Sequence, residues 1–273
     1  MIRLDGPLVL AGAGNMGGAM LAGWLARGLA PSDIIVQDPG PPPATAELLA
    51  KHGVRSVQTI DSLPKPPSVL LMAVKPQVMD QVFPPLAKLA GPNSVVLSIA
   101  AGRTIASFEK YLPAGSAVVR SIPNTPAAVG RGITVAAANK HVTAQHKQTV
   151  TELLSAIGEV AWVDDEALID PVTAVSGSGP AYVFYMVEAM AAAGVAAGLK
   201  PDLAMQLARA TVTGAGELLH QSPLDAATLR QNVTSPNGTT FAALQVLMAK
   251  DGLEPLMTAA VAAATKRSRE LAQ

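Results

Sequence analysis

Short apolar runs alternate with longer helix-like stretches over the first 163 residues of the chain. Aliphatic and β-branched residues form runs at 8–10, 34–37, 69–74, 95–99, 117–120, 133–136 and 160–163, which we predict to be strands. Stretches rich in Ala and Leu at 16–29, 44–52, 79–89 and 144–157 are predicted to be helices. Such alternation indicates an α/β domain with a parallel sheet covered by helices.

The remainder of the chain has a different pattern. From residue 164 to residue 273 no alternating apolar run indicates a strand, and long helix-like stretches are separated by turn residues. We therefore predict an α/β domain over 1–163 and an all-helical domain over 164–273. The stretch 181–199 is apolar almost throughout, but Glu188 and many small residues favour a buried helix over a membrane span.

Charge and cysteine content narrow the function classes. The 273 residues include 20 Lys and Arg against 20 Asp and Glu, so we expect no nucleic-acid or membrane-surface partner. The lack of cysteine excludes disulfides, thiolate metal sites and cysteine nucleophiles. It suits a reducing compartment, and no export signal is visible at the start of the sequence, so a cytoplasmic location is expected.

A glycine-rich segment directly follows the first predicted strand and opens a predicted helix. It consists of Gly12, Ala13, Gly14, Asn15, Met16 and Gly17. In this context the first glycine makes a tight turn, the second lets a pyrophosphate approach the backbone, and the third lets helix and strand pack closely. The segment predicts a Rossmann-type dinucleotide-binding domain, and a merely structural turn is the alternative.

Two further residues lie where parallel sheets bind ligands. Asp38 follows the second predicted strand, where a carboxylate bonds a ribose 2′-hydroxyl and repels a 2′-phosphate; this favours NADH over NADPH. The alternative is that Asp38 only opens the turn before Pro39. Lys75 follows the third predicted strand and is expected to face the cofactor.

No residue stands out as a general base. His52, His141, His146 and His220 are predicted on the surface, and neither a carboxylate pair nor a metal-ligand cluster occurs in the sequence. Segments 176–180 and 234–240 are rich in backbone donors and hydroxyls and precede helices, so each either binds a substrate carboxylate or forms a cap and turn. An electrophilic substrate such as a cyclic imine needs little acid or base from the protein.

Six motifs together resemble the pyrroline-5-carboxylate reductase family over nearly the whole chain. They are G-A-G-N-M-G at 12–17, A-V-K-P at 73–76, A-A-G at 100–102, P-N-T-P at 123–126, S-G-S-G-P-A-Y at 176–182 and S-P-N-G-T-T at 235–240. The resemblance implies a Rossmann-type domain followed by an all-helical dimerisation domain. It also implies reduction of the C=N bond of 1-pyrroline-5-carboxylate to L-proline with NADPH or NADH, the last step of proline biosynthesis.

The resemblance also implies partners and site residues. Members form homodimers through interlocking C-terminal helices, with active sites between subunits, and dimers often assemble into decamers. Ala73, Val74, Lys75, Pro76 and Ala100 then border the cofactor. Ser235, Gly238, Thr239 and Thr240 belong to the loop that binds the substrate carboxylate through backbone amides, and the Thr240 hydroxyl lies near the ring nitrogen as the candidate catalytic group.

This sequence departs from the family pattern at two positions. Asn237 stands where a second glycine is usual, and Asn is the residue next best able to adopt a positive φ, so the loop conformation is expected to survive. Asp38 stands where NADPH-binding members present a hydroxyl or a basic residue.

Two alternative functions remain open from the sequence. A β-hydroxyacid dehydrogenase would need a lysine on a helix of the second domain, whereas Lys200, Lys250 and Lys266 are expected in loop or terminal positions. A non-catalytic nucleotide-binding protein would keep the glycine motif, but it would not need the Ser/Thr loop.

Overall fold

The computed structural model describes residues 4–272, which contain one eight-stranded sheet. Its order is β3-β2-β1-β4-β5-β6-β7-β8. The strands are β1 (Leu8–Ala11), β2 (Ile34–Gln37), β3 (Arg55–Val57), β4 (Val69–Met72), β5 (Val95–Ser98), β6 (Ala117–Ile122), β7 (Gly132–Ala138) and β8 (Gly158–Val163). Strand β3 was not predicted, because it is short and its first two residues are exposed polar ones.

Most neighbouring strands pair in parallel, as the alternating pattern predicts, but the prediction of a parallel sheet is wrong for one pair. Strand β7 pairs antiparallel with β6, and β8 runs parallel to β7. Residues 123–131 connect β6 to β7, and they include only a short 3₁₀ helix (Thr125–Val129). A parallel crossover needs a dozen or more residues, so this short connection forces the chain to turn back.

Six helices accompany the sheet. They are α1 (Asn15–Ala26), α2 (Pro43–His52), α3 (Met79–Ala87), α4 (Ile105–Glu109), α5 (Ala144–Leu154) and α6 (Ile169–Val172). Apolar residues cover both faces of the sheet: Leu8 and Leu10 of β1 join one core cluster, and Val9 and Ala11 join the other. Burial on both faces explains why the strands read as continuous apolar runs.

Five helices follow. They are α7 (Gly179–Ala196), α8 (Pro201–Gln221), α9 (Ala226–Asn232), α10 (Thr239–Leu247) and α11 (Leu253–Leu271). Helices α7 and α8 pack through small residues, with Ala191, Ala204 and Ala208 buried between them. Within the described residues, no helix is both long enough and apolar enough to cross a membrane.

Contacts divide the chain into two compact units at a later point than the predicted boundary near residue 164. The sheet unit extends to Gly177 and also includes the chain from Ala264 onwards, and the helical unit is Ser178–Ala263. Residues after β8 stay with the sheet because Ile169 of α6 is fully buried in a cluster with Ile122 and Val135.

A buried arginine holds several segments of the sheet unit together. Arg120 of β6 is 3% exposed, and its Nη1 lies 3.0 Å from Glu166 Oε1 and its Nη2 4.0 Å from Asp170 Oδ1. Glu166 Oε1 also accepts the Ile105 amide at 2.8 Å, and Asp170 Oδ1 accepts the Ser268 hydroxyl at 2.7 Å. These carboxylates neutralise the buried cation and attach the start of α4 and the end of α11 to β6.

Candidate active site

The glycine segment forms a tight turn between β1 and α1. Gly12 has a φ of +92°, and a Cβ there would lie 2.8 Å from the Ala73 carbonyl group and from the Val74 nitrogen. A Cβ on Gly17 would overlap the Gly12 carbonyl oxygen, whereas a Cβ on Gly14 would meet nothing within 4 Å. Gly12 and Gly17 are therefore required by packing, and Gly14 leaves open space.

The start of α1 is available to an anion. Gly14 is the N-cap residue, and among the described residues no side chain caps this helix. The amides of Asn15, Met16 and Gly17 are the unsatisfied donors of the first turn. The free amides of this helix start lie next to Gly14, which has open space around it. Such a site fits a pyrophosphate, as the motif predicts. Ala13, just before this turn, is fully buried.

Asp38 connects two turns at the same edge of the sheet. Its Oδ2 accepts the Ala13 amide at 2.7 Å, and its Oδ1 accepts the Gly40 amide at 2.8 Å. Its own amide donates to Val57 at the end of β3. The bond to Gly40 agrees with the turn interpretation of Asp38. The bond to Ala13 places the carboxylate against the glycine turn, and its binding to a ribose stays a prediction.

The loops after β4 and β5 border the same edge. Ala73 and Val74 follow β4 directly, Lys75 is exposed, and Pro76 begins a 3₁₀ turn that leads into α3. Ala100 follows β5 and is 4% exposed. Ligands of open α/β sheets bind beyond the carboxyl ends of strands where the strand order reverses, and here that point lies between β1 and β4.

The structure adds one polar cluster that the sequence did not indicate. Arg103 Nη2 donates to the Pro76 carbonyl at 2.9 Å and to Asp80 Oδ2 at 2.6 Å, while Nη1 reaches Asp80 Oδ1 at 3.3 Å. Hydrogen bonding from Arg103, together with its charge, holds the pKa of the Asp80 carboxyl below its ordinary value of 3.8. The one feature of the sequence that could have indicated this cluster is the position of Arg103 directly after the A-A-G motif at 100–102.

The predicted substrate loop lies in the helical unit. Asn237 has a φ of +57°, so the expected left-handed conformation is confirmed. Gly238 is the N-cap of α10, and no side chain within the described residues caps that helix start. The amides of the first turn, including those of Thr239 and Thr240, are thus free for an anionic group. Ser235 accepts the Gly238 amide through its carbonyl at 3.1 Å.

The second hydroxyl-rich segment is helical rather than a loop. Residues Thr173–Gly177 form a π-helical turn, and the Ser176 hydroxyl donates to the Val172 carbonyl at 3.1 Å. Helix α7 begins shortly afterwards at Gly179. Such turns occur often at functional positions, but the Ser176 hydroxyl is used here in a hydrogen bond to the backbone.

The prediction that all four histidines lie on the surface is confirmed for two of them, whereas His141 and His146 are half-buried. His52 and His220 are exposed, and His146 caps α5 by accepting the Thr143 amide. The three lysines expected in loop or terminal positions lie there: Lys200 precedes α8, Lys250 lies in the turn between α10 and α11, and Lys266 lies on the last helix, α11. The described residues contain no group of three or more His, Cys, Asp or Glu side chains suited to a metal ion.

Two family models match separate parts of the chain. Residues 166–271 match the family model described as pyrroline-5-carboxylate reductase dimerisation, which identifies the helical region as the homo-oligomerisation part of the chain. Residues 8–102 match the family described as NADP oxidoreductase, coenzyme F420-dependent. That second match covers the glycine turn, Asp38 and the loops after β4 and β5.

Individual relatives match along the full chain. The pyrroline-5-carboxylate reductase of Pseudomonas aeruginosa is 40% identical over 266 residues, covering 97% of this chain and 97% of that protein. The structure of a pyrroline-5-carboxylate reductase from Coxiella burnetii has a TM-score of 0.91 at 34% identity and covers 98% of this chain and 99% of its own. The Plasmodium falciparum pyrroline carboxylate reductase with NADP bound has a TM-score of 0.80 at 26% identity, with coverage of 98% and 99%.

Two of the three glycines of the turn, Gly14 and Gly17, give contrasting predictions. Gly14→Ala should keep the unfolding midpoint, because its Cβ enters open space, but it should raise the cofactor Kd about tenfold or more by obstructing the pyrophosphate. Gly17→Ala should lower the free energy of unfolding by about 1–3 kcal/mol through overlap with Gly12. For both variants, urea denaturation measures the free energy of unfolding and cofactor titration measures the Kd. Unchanged cofactor binding in Gly14→Ala would contradict the proposed pyrophosphate position.

Proposed function

Because the chain belongs to the pyrroline-5-carboxylate reductase family, we propose that it reduces the C=N bond of 1-pyrroline-5-carboxylate to give L-proline. This is the last step of proline biosynthesis. The observation that carries the proposal is the full-length match, since it includes both the dinucleotide turn and the loop at the start of α10. A reduced nicotinamide cofactor, when bound, supplies the hydride that the imine carbon accepts.

The sheet unit supplies the groups that fit this cofactor. The free amides at the start of α1 suit the pyrophosphate, and Gly14 leaves room for it. Asp38 suits the adenosine ribose, and the segment Ala73, Val74, Lys75 and Pro76, together with Ala100, borders the remaining part of the crevice.

The helical unit supplies the groups for the substrate. We assign the carboxylate to the free amides around Gly238, Thr239 and Thr240, with Ser235 closing the loop through its carbonyl. We also assign the Thr240 hydroxyl to the ring nitrogen, the atom that carries the proton as the bond is reduced. A cyclic imine protonates readily in water, so orientation and preorganised donors suffice for the rate enhancement without a strong protein acid.

A steady-state assay tests the reaction. Purified protein given 1-pyrroline-5-carboxylate should oxidise NADH or NADPH and release proline in equal amount. Oxidation of 2- or 3-hydroxy acids is the control reaction, because the dehydrogenase alternative requires it. Activity on hydroxy acids without turnover of the imine would refute the proposal.

We propose that Asp38 makes NADH at least as good a cofactor as NADPH. A 2′-phosphate about 4 Å from the carboxylate would be repelled by about 4 kcal/mol per unit charge at an effective dielectric of about 20. The carboxylate cannot rotate away cheaply, because it would lose its bonds from Ala13 and Gly40. Its remaining lone pairs can still accept a ribose hydroxyl.

The nearest strand offers little compensation for that repulsion. Arg55 of β3 pairs with Ile35, so it lies about 10 Å back from Asp38 along the strands at about 3.3 Å per residue. Gln58 and Thr59, which follow β3, are uncharged.

The cofactor preference is testable at one residue. Asp38→Ser should raise the NADPH-to-NADH ratio of kcat/KM about tenfold or more, because it removes the charge that repels the 2′-phosphate. Asp38→Asn is the matched control for size, and it should shift the ratio in the same direction. Wild-type protein that favours NADPH at least tenfold would contradict this role of Asp38 and leave the reaction assignment standing.

The Thr240 hydroxyl has its own test. Thr240→Ala should lower kcat/KM for the imine about 10- to 100-fold, the loss expected for one hydrogen bond to a charged or developing-charge partner. Cofactor Kd should stay at the wild-type value, because the pyrophosphate site belongs to the sheet unit. Since Gly238 and not Thr240 is the N-cap, the unfolding midpoint should also be unchanged. Wild-type turnover by this variant would exclude a catalytic role.

We propose that the working form is a homodimer, which can assemble further into a decamer. Large apolar side chains of the helical unit are exposed in the single chain: Phe184 is 62%, Tyr185 69% and Val246 72% exposed. Apolar surface of this extent is characteristic of a subunit interface.

The expected location of this assembly is the cytoplasm, where the nicotinamide cofactors and the small-molecule substrate are available.

A further inference from the structure

The loop that follows β4 is in direct contact with the dinucleotide turn. The Gly12 backbone lies so close to Ala73 that a Cβ would reach within 2.8 Å of the Ala73 carbonyl group. The Ala73 amide also donates to the Ala11 carbonyl at 2.7 Å. The position of the Gly12 turn therefore depends on the position of the loop 73–76.

We infer that Arg103 is a positioning residue for the cofactor, because its guanidinium fixes the loop 73–76 against the loop that follows β5. This inference rests on the proposed function only in taking that edge of the sheet as the cofactor site. The Arg103 side chain donates to Pro76 and Asp80 and not to the glycine turn among the described residues. It acts through Pro76 and Asp80.

The geometry of these contacts suits a rigid connection between Arg103, Pro76 and Asp80, which we call the Arg103 brace. One guanidinium nitrogen of Arg103 is shared by the Pro76 carbonyl and Asp80 Oδ2, and the other reaches Asp80 Oδ1. Asp80 lies in the first turn of α3, and Tyr111 also donates to its Oδ1 at 3.4 Å. A planar fork can hold a carbonyl and a carboxylate at once, whereas an ammonium group offers only a point charge.

The backbone that carries Arg103 is itself fixed. Gly102 has a φ of +72°, and a Cβ there would lie 2.9 Å from the Leu271 carbonyl oxygen. Two residues after Arg103, the Ile105 amide donates to Glu166, which is paired with the buried Arg120. A side chain can hold another loop in place only if its own backbone is held, and this condition is met.

Exposed Arg–carboxylate pairs contribute little to global stability, so the effect should appear in cofactor binding. The Arg103 side chain is 19% exposed and that of Asp80 is 53% exposed. Losing the brace frees the loop 73–76 to shift, and a displacement of about 1 Å in a reaction site costs up to about 100-fold in rate.

Cofactor titration without substrate is the primary experiment. Arg103→Met should raise the Kd for NADH about tenfold, measured by quenching of tryptophan fluorescence. At saturating cofactor, the KM for 1-pyrroline-5-carboxylate should stay within about twofold of wild type. The matched control is Arg267→Met, which removes an exposed pair with Glu270 at 2.9 Å and should leave the Kd unchanged.

Two milder variants keep the test decisive if Arg103→Met unfolds. Asp80→Asn retains the bond to Pro76 and should raise the Kd about two- to threefold, and Arg103→Lys should fall between wild type and Arg103→Met. Adding Asp80→Asn to Arg103→Met should have no further effect, because Asp80 acts through the arginine. A Kd at the wild-type value in Asp80→Asn and Arg103→Lys would overturn the inference.

Other outcomes separate this inference from the proposed function. If Arg103→Met raises the KM of the imine and leaves the cofactor Kd unchanged, the brace is refuted and the reductase assignment stands. If wild-type protein binds NADH but does not reduce the imine, the reaction is refuted, and a raised Kd in Arg103→Met still supports the brace. Failure of wild-type protein to bind either cofactor refutes both.

Discussion

No side chain fits at Gly12, and the edge of the sheet that we propose as the cofactor site depends on this constraint. Its positive φ brings the turn after β1 against the Ala73 peptide, so the two loops on either side of the crevice become one surface. Asp38 then fixes the turn from the β2 side through the Ala13 amide, and Arg103 fixes the β4 loop from the β5 side. We propose that backbone contacts set the binding geometry at this edge and that the Asp38 and Arg103 side chains maintain these contacts.

The sequence predicts best the features that depend on local chemistry. The strand, glycine turn and helix around residues 8–26 follow from apolar burial and from the conformations open only to glycine, and the structure has them. Asn237 is a similar case, because the loop requires a positive φ and asparagine tolerates one. In each case the residue type itself carries the information.

Features that depend on contacts between distant residues were missed. Strand β3 has exposed polar residues at its start. It forms because it can pair with β2 along Ile35 and Gln37. The direction of β7 depends on the length of a connection rather than on its apolar pattern. Arg103 and Asp80 are 23 positions apart in sequence and meet only because β4 and β5 are neighbours. No single-sequence pattern encodes such a pairing.

The helical unit contains both the proposed substrate loop and a large exposed apolar surface. Helix α7 is apolar around its circumference, yet Ala191 is its one buried residue among those described, and α10 has none. A helix of that composition is stable when it is covered. We propose that another copy of the chain covers α7 and α10 and thereby holds the amides that we assign to the substrate carboxylate. In this proposal association and catalytic competence are a single requirement, which accounts for the exposed apolar surface of the helical unit.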